Sequence, residues 1–422
     1  MRKTVFLLGL VFVVSNTPFA QPKVSVDQAE TGFIESRLGR IDDAINAEIE
    51  AGRIPGAVVL IARNGSIAYH KSFGYSDVDS KTPMRNDNIF RIASMTKAIT
   101  SVAVMTLYEK GHFLLNDPVA KYIPEFSDPK VVSELDDDGN ILSTVPATTP
   151  IRIIDLLTHS SGIGYPFIAS DLQKAYVDAG IIDGLTIRDI TLASQMQLLA
   201  EQPLLFEPGS KLAYGLNTDL LGYLVEVVSG RSLDQYLAEE IFEPLQMHDS
   251  HFYLPRDKAD RLVTLYADEE GGLVVSQGDE SDIVLDDPLY PIAGARSYFS
   301  GGAGLSSTAR DYARFLQMML NGGELDGARI LSRKSVELMR TARLDWDDDQ
   351  VPDMSLGFAV VSDLGKKGEI GSVGSYSWGG AFYTSYWVDP SENLIGVFMS
   401  QVRPADSDIS EKFNILVYQA LR

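Results

Sequence analysis

Ser94 and Lys97 stand three positions apart at the start of a long apolar segment, and their residue types could do chemistry together. The segment from Ser94 to Tyr108 contains good helix formers and no proline, and Gly111 offers a C-terminal stop. Residues three apart on a helix lie on one face. A hydroxyl near a helix start can act as a nucleophile. Burial favours the neutral form of the neighbouring amine, which can then accept the proton of the hydroxyl.

The Ser-x-x-Lys spacing is weak by itself, because residue frequencies predict roughly one such pattern by chance in a chain of this length. A second copy, Ser127-Asp128-Pro129-Lys130, contains a proline and no apolar helix follows it, so it is typical of a surface turn. The alternative for Ser94 is a helix cap, and for Lys97 a surface lysine whose stem lies on apolar side chains. These residues alone leave both interpretations open.

Three further polar residues with possible roles lie far along the chain. Tyr214 follows the turn at Pro208-Gly209, and a phenol held near an ammonium can relay a proton, although a core tyrosine is the alternative. His159 follows the apolar stretch from Ile151 to Leu157, and we predict a histidine at a helix end because nothing nearby completes a relay. Asn217 is predicted to be the N-cap of the helix that ends at Gly230.

Other common catalytic templates find no support. No serine stands in Gly-x-Ser-x-Gly, which argues against an α/β-hydrolase elbow, and no His-Glu-x-x-His is present. The acidic stretch from Glu134 to Asn140 lacks the spacing of a calcium loop, so we predict a solvated loop. The glycine-rich stretch from Gly301 to Gly304 has no lysine after it that would make it a phosphate cradle. We therefore expect no metal and no cofactor.

Composition points to an exported globular protein. Arg2 and Lys3 precede an apolar run from Val5 to Val14, which predicts a signal peptide over residues 1–20, cleaved after Ala20. The run is too short to span a bilayer, and no later segment resembles a transmembrane helix. The 422 residues include no cysteine, which excludes disulfides and thiolate chemistry. We expect a periplasmic or secreted protein.

The net charge is strongly negative. Its value is −22 over the whole chain, and loss of the two basic residues of the signal makes it −24. Such a surface repels nucleic acid, and simple solubility is the plainer explanation of the charge. We expect a small-molecule ester or amide substrate as partner, no nucleic acid, and no integral membrane segment once the signal is removed.

The order of predicted elements indicates one sheet built from both ends of the chain. An amphipathic helix spans Ile34 to Ile49, and a hairpin turns at Asn64-Gly65. Near the other end, a strand from Tyr376 to Val388 pairs with one from Leu394 to Met399, and a closing helix follows. The middle is mainly helical. We predict an α/β (α+β) fold with an antiparallel sheet flanked by helices.

The corresponding domain prediction is one domain over 21–422, in which residues 33–90 and 290–422 form a sheet subdomain and residues 91–289 a helical subdomain.

Three motifs in this order resemble those of the serine β-lactamase and penicillin-binding-protein superfamily. They are Ser94-Met95-Thr96-Lys97, Tyr214 after Pro208-Gly209, and Trp378-Gly379-Gly380 before a C-terminal strand. The resemblance covers nearly the whole mature chain, and it is greatest to the class C-like branch that includes family VIII carboxylesterases. It implies a β-lactamase-like fold.

The resemblance also implies roles for these residues. Ser94 is the expected nucleophile, Lys97 its proton acceptor, and Tyr214 the acid/base that protonates the leaving group. It further implies an oxyanion hole formed by the backbone N–H groups of Ser94 and of Ala381, which would follow Gly380 on the strand.

Two departures from the superfamily pattern favour esters as substrates. Where β-lactamases and peptidases usually show Tyr-x-Asn, Leu216 stands at the asparagine place and Asn217 comes one residue late. Where they usually show Lys-Thr-Gly, this chain has Trp378, Gly379 and Gly380. An apolar Trp378 suits an ester with an apolar acyl group, although packing on the strand face is the alternative. We expect Trp378, Gly379, Gly380 and Asn217 to bind substrate.

The sequence therefore predicts an exported serine hydrolase that acts through an acyl-enzyme on Ser94, as a carboxylesterase on short or medium acyl esters. Two alternatives stay open. One is a β-lactamase, D-alanyl-D-alanine carboxypeptidase or D-aminopeptidase, and the other is a non-catalytic scaffold of the same fold.

Overall fold

The computed structural model describes residues 31–182, 184–269, 272–277, 287–344, 353–368 and 370–422. The predicted signal peptide, residues 1–20, lies outside the described residues. The helices in the described chain are α1 (Glu35–Glu50), α2 (Thr96–Glu109), α3 (Ile153–Leu157), α4 (Gln173–Asp178), α5 (Leu192–Ala200), α6 (Asn217–Ser229), α7 (Leu233–Leu237), α8 (Ala309–Leu320), α9 (Arg333–Met339), α10 (Leu364–Lys367) and α11 (Ile409–Tyr418). Within these residues, no helix is both long and apolar enough to cross a bilayer.

The strands supply one large sheet and several short pairs. They are β1 (Gly56–Arg63), β2 (Ser66–Asp77), β3 (Thr82–Pro83), β4 (Phe90–Arg91), β5 (Lys130–Leu135), β6 (Ile141–Pro146), β7 (Tyr266–Glu269), β8 (Gly272–Val275), β9 (Ser306–Ser307), β10 (Glu324–Leu325), β11 (Ala328–Arg329), β12 (Asp353–Met354), β13 (Ala359–Val360), β14 (Tyr376–Gly380), β15 (Thr384–Asp389) and β16 (Leu394–Met399).

Eight of the described strands form the large sheet, and its centre joins the two ends of the chain. The order is β12-β13-β14-β15-β16-β1-β2-β3, and neighbouring strands run antiparallel. Val58 of β1 pairs with Met399 of β16. The prediction of an antiparallel sheet built from N- and C-terminal segments is confirmed.

Alternate residues of β1 supply two separate clusters of buried apolar side chains in the described chain. Val58 and Leu60 belong to the cluster that includes α2 and the other helices of the middle of the chain. Val59 and Ile61 face the opposite side, where they pack with α1 and α11. Because successive side chains of a strand point to opposite faces, a strand buried on both faces separates two cores.

The helix that carries Lys97 is the most buried of the larger cluster. All residues of α2 from Thr96 to Leu107 are buried, and Gly111 follows its end with a φ of +77°. A helix that is apolar all round requires such a position inside the protein. This placement confirms the prediction made from its sequence, and it fixes Lys97 in the interior.

Two predicted elements differ from the structure. The acidic stretch from Glu134 to Asn140 is predicted to be a solvated loop, but it forms the end of β5 and the turn of a hairpin between β5 and β6. In addition, Tyr376 to Val388 is not one strand, because residues 381–383 form a turn between β14 and β15 with Tyr383 at a φ of +66°. Ala381 therefore lies in a turn and not on the strand.

The division into a sheet subdomain and a helical subdomain stays a prediction. The strands of the large sheet do fall within residues 56–83 and 353–399, on either side of the helical middle.

Candidate active site

Ser94 lies in a single 3-10 turn, Ala93–Met95, between β4 and α2. Ala93 has a φ of +40°, a left-handed conformation that is costly for a residue with a Cβ atom. The surrounding chain holds this turn, since Ile92 N–H donates to Leu305 O at 3.0 Å and Tyr312 OH donates to Met95 O at 2.8 Å. Ser94 stays partly exposed between buried neighbours, so its hydroxyl can meet a substrate.

Lys97 is 2% exposed and reaches Ser94 from the first turn of α2. Its Nζ lies 3.2 Å from Ser94 Oγ and donates to Gly302 O at 2.7 Å. It also lies 4.6 Å from the centroid of the Tyr214 ring and 5.4 Å from that of Tyr165. Once it has given up a proton, the Lys97 amine can donate one N–H to Gly302 and still offer its lone pair to the Ser94 hydroxyl.

Tyr214 reaches the same hydroxyl from another part of the chain. Its OH lies 2.7 Å from Ser94 Oγ, although 120 positions separate the two residues. The segment that carries Tyr214 is fixed because Ala213 N–H donates to His159 O at 2.9 Å and Leu216 N–H donates to Gly164 O at 3.1 Å. The structure thus brings Ser94, Lys97 and Tyr214 into one hydrogen-bonded group, as the resemblance implied.

This group can move a proton in two directions. Ser94 can lose its proton to Lys97 as its oxygen attacks a carbonyl, and Tyr214 can deliver a proton to a leaving group on the other side. No group with three or more histidine or acidic side chains in the described chain could hold a metal ion. The chemistry open to these residues is acyl transfer through a serine nucleophile.

Trp378, Gly379 and Gly380 bring β14 to the edge of this group. The Trp378 ring lies 5.8 Å from the Tyr214 ring, so the indole packs beside the phenol. A Cβ on Gly380 would overlap the carbonyl oxygen of Ile92, which shows that the end of β14 touches the chain just before Ser94. Ala381 follows as an exposed residue of the turn. Its backbone N–H stays the predicted second donor of the oxyanion hole.

Asn217 is predicted to bind substrate and to cap α6, and the structure corrects the predicted cap. Its side chain is fully buried at the first position of α6, and the cap position belongs to Leu216. Its Oδ1 accepts from Ser161 Oγ at 2.5 Å, and its Nδ2 lies 3.0 Å from His159 Nδ1. Partners within the protein therefore occupy both ends of the amide.

His159 follows the C-cap Thr158 of α3, so it stands at a helix end as predicted, and it also packs against residues of the candidate site. Its ring lies 4.9 Å from the Tyr214 ring and stacks on Trp378 at 6.4 Å. Burial, reinforced by the positive charge of Lys97, lowers the pKa of His159 to about 3, so the imidazole is neutral near pH 7. A neutral ring of this kind is a poor general base, but it can pack and donate a hydrogen bond.

Asp219 is a further residue of the site that sequence reasoning missed. It is fully buried, Ser300 Oγ donates to its Oδ1 at 2.5 Å, and Gly302 N–H donates to the same oxygen at 3.3 Å. Burial raises the pKa of Asp219, whereas the charge of Lys97 opposes that rise. A carboxyl within the apolar run of α6 was the available signal, since such a group is rarely buried without a reason.

Comparisons with known proteins find relatives over most of the chain. A family model described as Beta-lactamase matches residues 41–420. An uncharacterised protein of Mycobacterium tuberculosis is 35% identical over 379 residues, which cover 86% of this chain and 89% of that protein. Esterase EstB of Burkholderia gladioli is 31% identical over 373 residues, or 85% of this chain and 89% of EstB.

A solved structure shows the same fold. EstCE1, described as a hydrolase with promiscuous acyltransferase activity, superposes with a TM-score of 0.78 at 28% identity, over 92% of this chain and 98% of that chain. The chain belongs to the β-lactamase family and is a serine hydrolase of the β-lactamase fold.

Proposed function

We propose that this hydrolase is a carboxylesterase that cleaves short or medium acyl esters through an acyl-enzyme on Ser94. The observation that carries the proposal is the position of one hydroxyl between two proton carriers. Ser94 Oγ lies 3.2 Å from Lys97 Nζ and 2.7 Å from Tyr214 OH. A serine hydroxyl is a weak nucleophile until a neighbouring base takes its proton.

Acylation follows from these contacts. Ser94 Oγ attacks the ester carbonyl as its proton passes to Lys97, and the backbone N–H groups of Ser94 and Ala381 stabilise the tetrahedral oxyanion. When the bond from carbon to the alkoxy oxygen breaks, Tyr214 protonates the departing alkoxide and Lys97 restores the Tyr214 proton. Water then attacks the acyl-enzyme by the reverse proton path, and the carboxylic acid and Ser94 are released.

The residues beside the hydroxyl favour esters over β-lactams and peptides. Trp378 is apolar and stands where the superfamily pattern places a lysine for a substrate carboxylate, and Asn217 is buried away from substrate. EstB, which is similar over most of its length, carries the name esterase. An acyl group packed on the Trp378 indole suits this cleft better than a carboxylate does.

A comparison of two substrate classes tests the proposal. We expect the purified protein to hydrolyse a short-chain nitrophenyl ester and to leave a chromogenic cephalosporin nearly untouched. Ser94→Ala should abolish ester turnover and labelling by a fluorophosphonate, and Tyr214→Phe should slow turnover. Ser127→Ala, in the exposed second copy of the pattern, is the matched control. Fast cephalosporin turnover with negligible ester cleavage would instead support a β-lactamase, and a wild type that never labels would support a non-catalytic scaffold.

Export is a second part of the proposal, and it rests on the N-terminal sequence. Arg2 and Lys3 precede a short apolar run that ends before Ala20. We expect the mature protein, collected from the periplasm or the medium of a bacterial host, to begin at Gln21. Mass spectrometry of the intact protein measures this directly, and a cytoplasmic product that retains residues 1–20 would contradict it.

A further inference from the structure

The side chains of His159, Asn217 and Ser161 form a buried chain of hydrogen bonds beside the catalytic group. All three are at most 2% exposed. Asn217 stands in the middle, with Nδ2 3.0 Å from His159 Nδ1 and Oδ1 2.5 Å from Ser161 Oγ. The catalytic steps described above do not use this chain, so its presence calls for a separate explanation.

The surroundings fix which end of the Asn217 amide faces His159. The carbonyl oxygens of Ile163 and Ala213 lie 3.4 Å and 3.5 Å from Nδ2. If the amide were reversed, its oxygen would face these two carbonyl oxygens and repel them, whereas an NH2 group can donate to them. The nitrogen therefore faces His159, and the oxygen accepts from the Ser161 hydroxyl.

This orientation determines the tautomer of His159. An amide NH2 group only donates, so His159 Nδ1 must accept and carries no proton. In a neutral imidazole the proton then resides on Nε2. The nearby charge of Lys97 and the burial of the ring both disfavour a second proton.

His159 in turn contacts the two aromatic residues of the cleft. Its ring lies 4.9 Å from that of Tyr214 at an interplanar angle of 46°, and it stacks on Trp378 at 13°. Its carbonyl oxygen also accepts from Ala213 N–H, directly before Tyr214, at 2.9 Å. A change in the position of the His159 ring therefore acts on the residue whose phenol touches Ser94.

We propose that His159, held by Asn217 and Ser161 as the neutral imidazole with its proton on Nε2, is a positioning residue that keeps the Tyr214 phenol against Ser94. The effect on turnover rests on the proposed function, whereas the tautomer does not. Asn217 thus holds His159, and through it Tyr214, without a contact of its own to substrate.

Nitrogen-15 NMR of labelled wild-type protein tests the tautomer. Loss of a signal in His159→Asn assigns His159 among the five histidines. We expect a protonated Nε2 and an unprotonated Nδ1 at pH 8, unchanged down to pH 5. A proton on Nδ1, or titration of the ring between pH 6 and pH 7, would overturn the proposal whatever the enzyme hydrolyses.

Asn217→Asp provides the matched perturbation, because it replaces the donating nitrogen with an oxygen of similar size. We expect the proton of His159 to move to Nδ1, and fluorophosphonate labelling of Ser94 to slow about tenfold. The same substitution in a Tyr214→Phe background should change labelling by less than about twofold, since the phenol is already gone. Equal slowing of the labelling in both backgrounds would show that Asn217 has a general structural role, and it would overturn the proposal that His159 positions Tyr214.

Discussion

The chain contains the pattern Ser-x-x-Lys twice, and the two regions differ in everything except the spacing. Lys97 is 2% exposed on a buried helix, with Ser94 Oγ 3.2 Å from its Nζ and Tyr214 OH 2.7 Å from Ser94 Oγ. Ser127 follows a 3-10 turn and Lys130 begins β5, and both are exposed. Spacing thus brings a hydroxyl and an amine into one neighbourhood, whereas the first region adds burial of the lysine and a third group from elsewhere in the chain.

Replacing the serine in each region should give the largest contrast. We expect Ser94→Ala to lower kcat/KM for a nitrophenyl ester at least about 1,000-fold, because no other hydroxyl can form the acyl-enzyme. Ser127→Ala should stay within about twofold of wild type, since an exposed turn serine has no part in catalysis. Steady-state kinetics measure both. Comparable losses in the two variants would remove the distinction between the regions.

The lysines should differ in the same direction with a smaller effect. Lys97→Met should lower kcat about 100- to 1,000-fold, because a general base contributes roughly that much. Lys130→Met should leave kcat unchanged within about twofold, as expected of an exposed lysine. The measurement is kcat at saturating ester, with circular dichroism to verify folding. If Lys97→Met retained full kcat, the proton acceptor would have to be sought elsewhere.

Two adjacent glycines of β14 test the contact between this strand and the chain just before Ser94. A Cβ at position 380 would overlap Ile92 O and Thr384 Oγ1, whereas at position 379 its nearest neighbour is Thr384 O at 3.5 Å. We expect Gly380→Ala to destabilise the fold by about 1–3 kcal/mol and to lower kcat, because β14 must move away from Ser94. Gly379→Ala should change the free energy of unfolding by less than about 0.5 kcal/mol. Urea unfolding and steady-state kinetics measure both variants. Equal losses of stability and kcat in the two variants would contradict the close contact at Gly380.

The smallest effect concerns stability in acid. The pKa of His159 is lowered from 6.5 to about 3, so the unfolded chain binds a proton below pH 6.5 that the folded protein does not. Stability therefore falls as the pH falls, and this group contributes a loss of about 2 kcal/mol between pH 7 and pH 5. His159→Asn should reduce the measured loss by that amount in urea unfolding at the two pH values. The exposed His112, changed to Asn, should leave it unaltered. An unchanged pH dependence in His159→Asn would contradict the buried neutral ring.

Much of the fold could be predicted because the largest energetic terms are local in sequence. The apolar periodicity of α1, the Asn64-Gly65 turn and the unbroken apolar face of α2 each determine one element. The β5–β6 hairpin was missed because Asp138-Gly139, a hairpin turn signal, lies within an acidic stretch that suggests a solvated loop. The turn at residues 381–383 was missed because the sequence there has neither proline nor Asn-Gly.

The residues of the site that stand in sequence motifs could be predicted, and those that only packing brings to the site could not. Ser94, Lys97 and Tyr214 could be grouped because each stands in a recognisable context. Asp219 and the amide of Asn217 required the fold, since their partners Ser300 and His159 lie 81 and 58 positions away. The left-handed φ of Ala93 could not be predicted either, because glycine is the residue that usually adopts such a conformation.

The pairing of β1 with β16 joins an early part of the chain to one that is synthesised late. Val58 pairs with Met399, and the glycine that touches the residue before the Ala93–Met95 turn stands at position 380. A ribosome therefore makes Ser94, Lys97 and Tyr214 well before Gly380 and β16. The growing polypeptide therefore carries the Ser-x-x-Lys motif before the centre of the large sheet can close, and a prematurely terminated product that lacks β16 leaves β1 without its partner on one side.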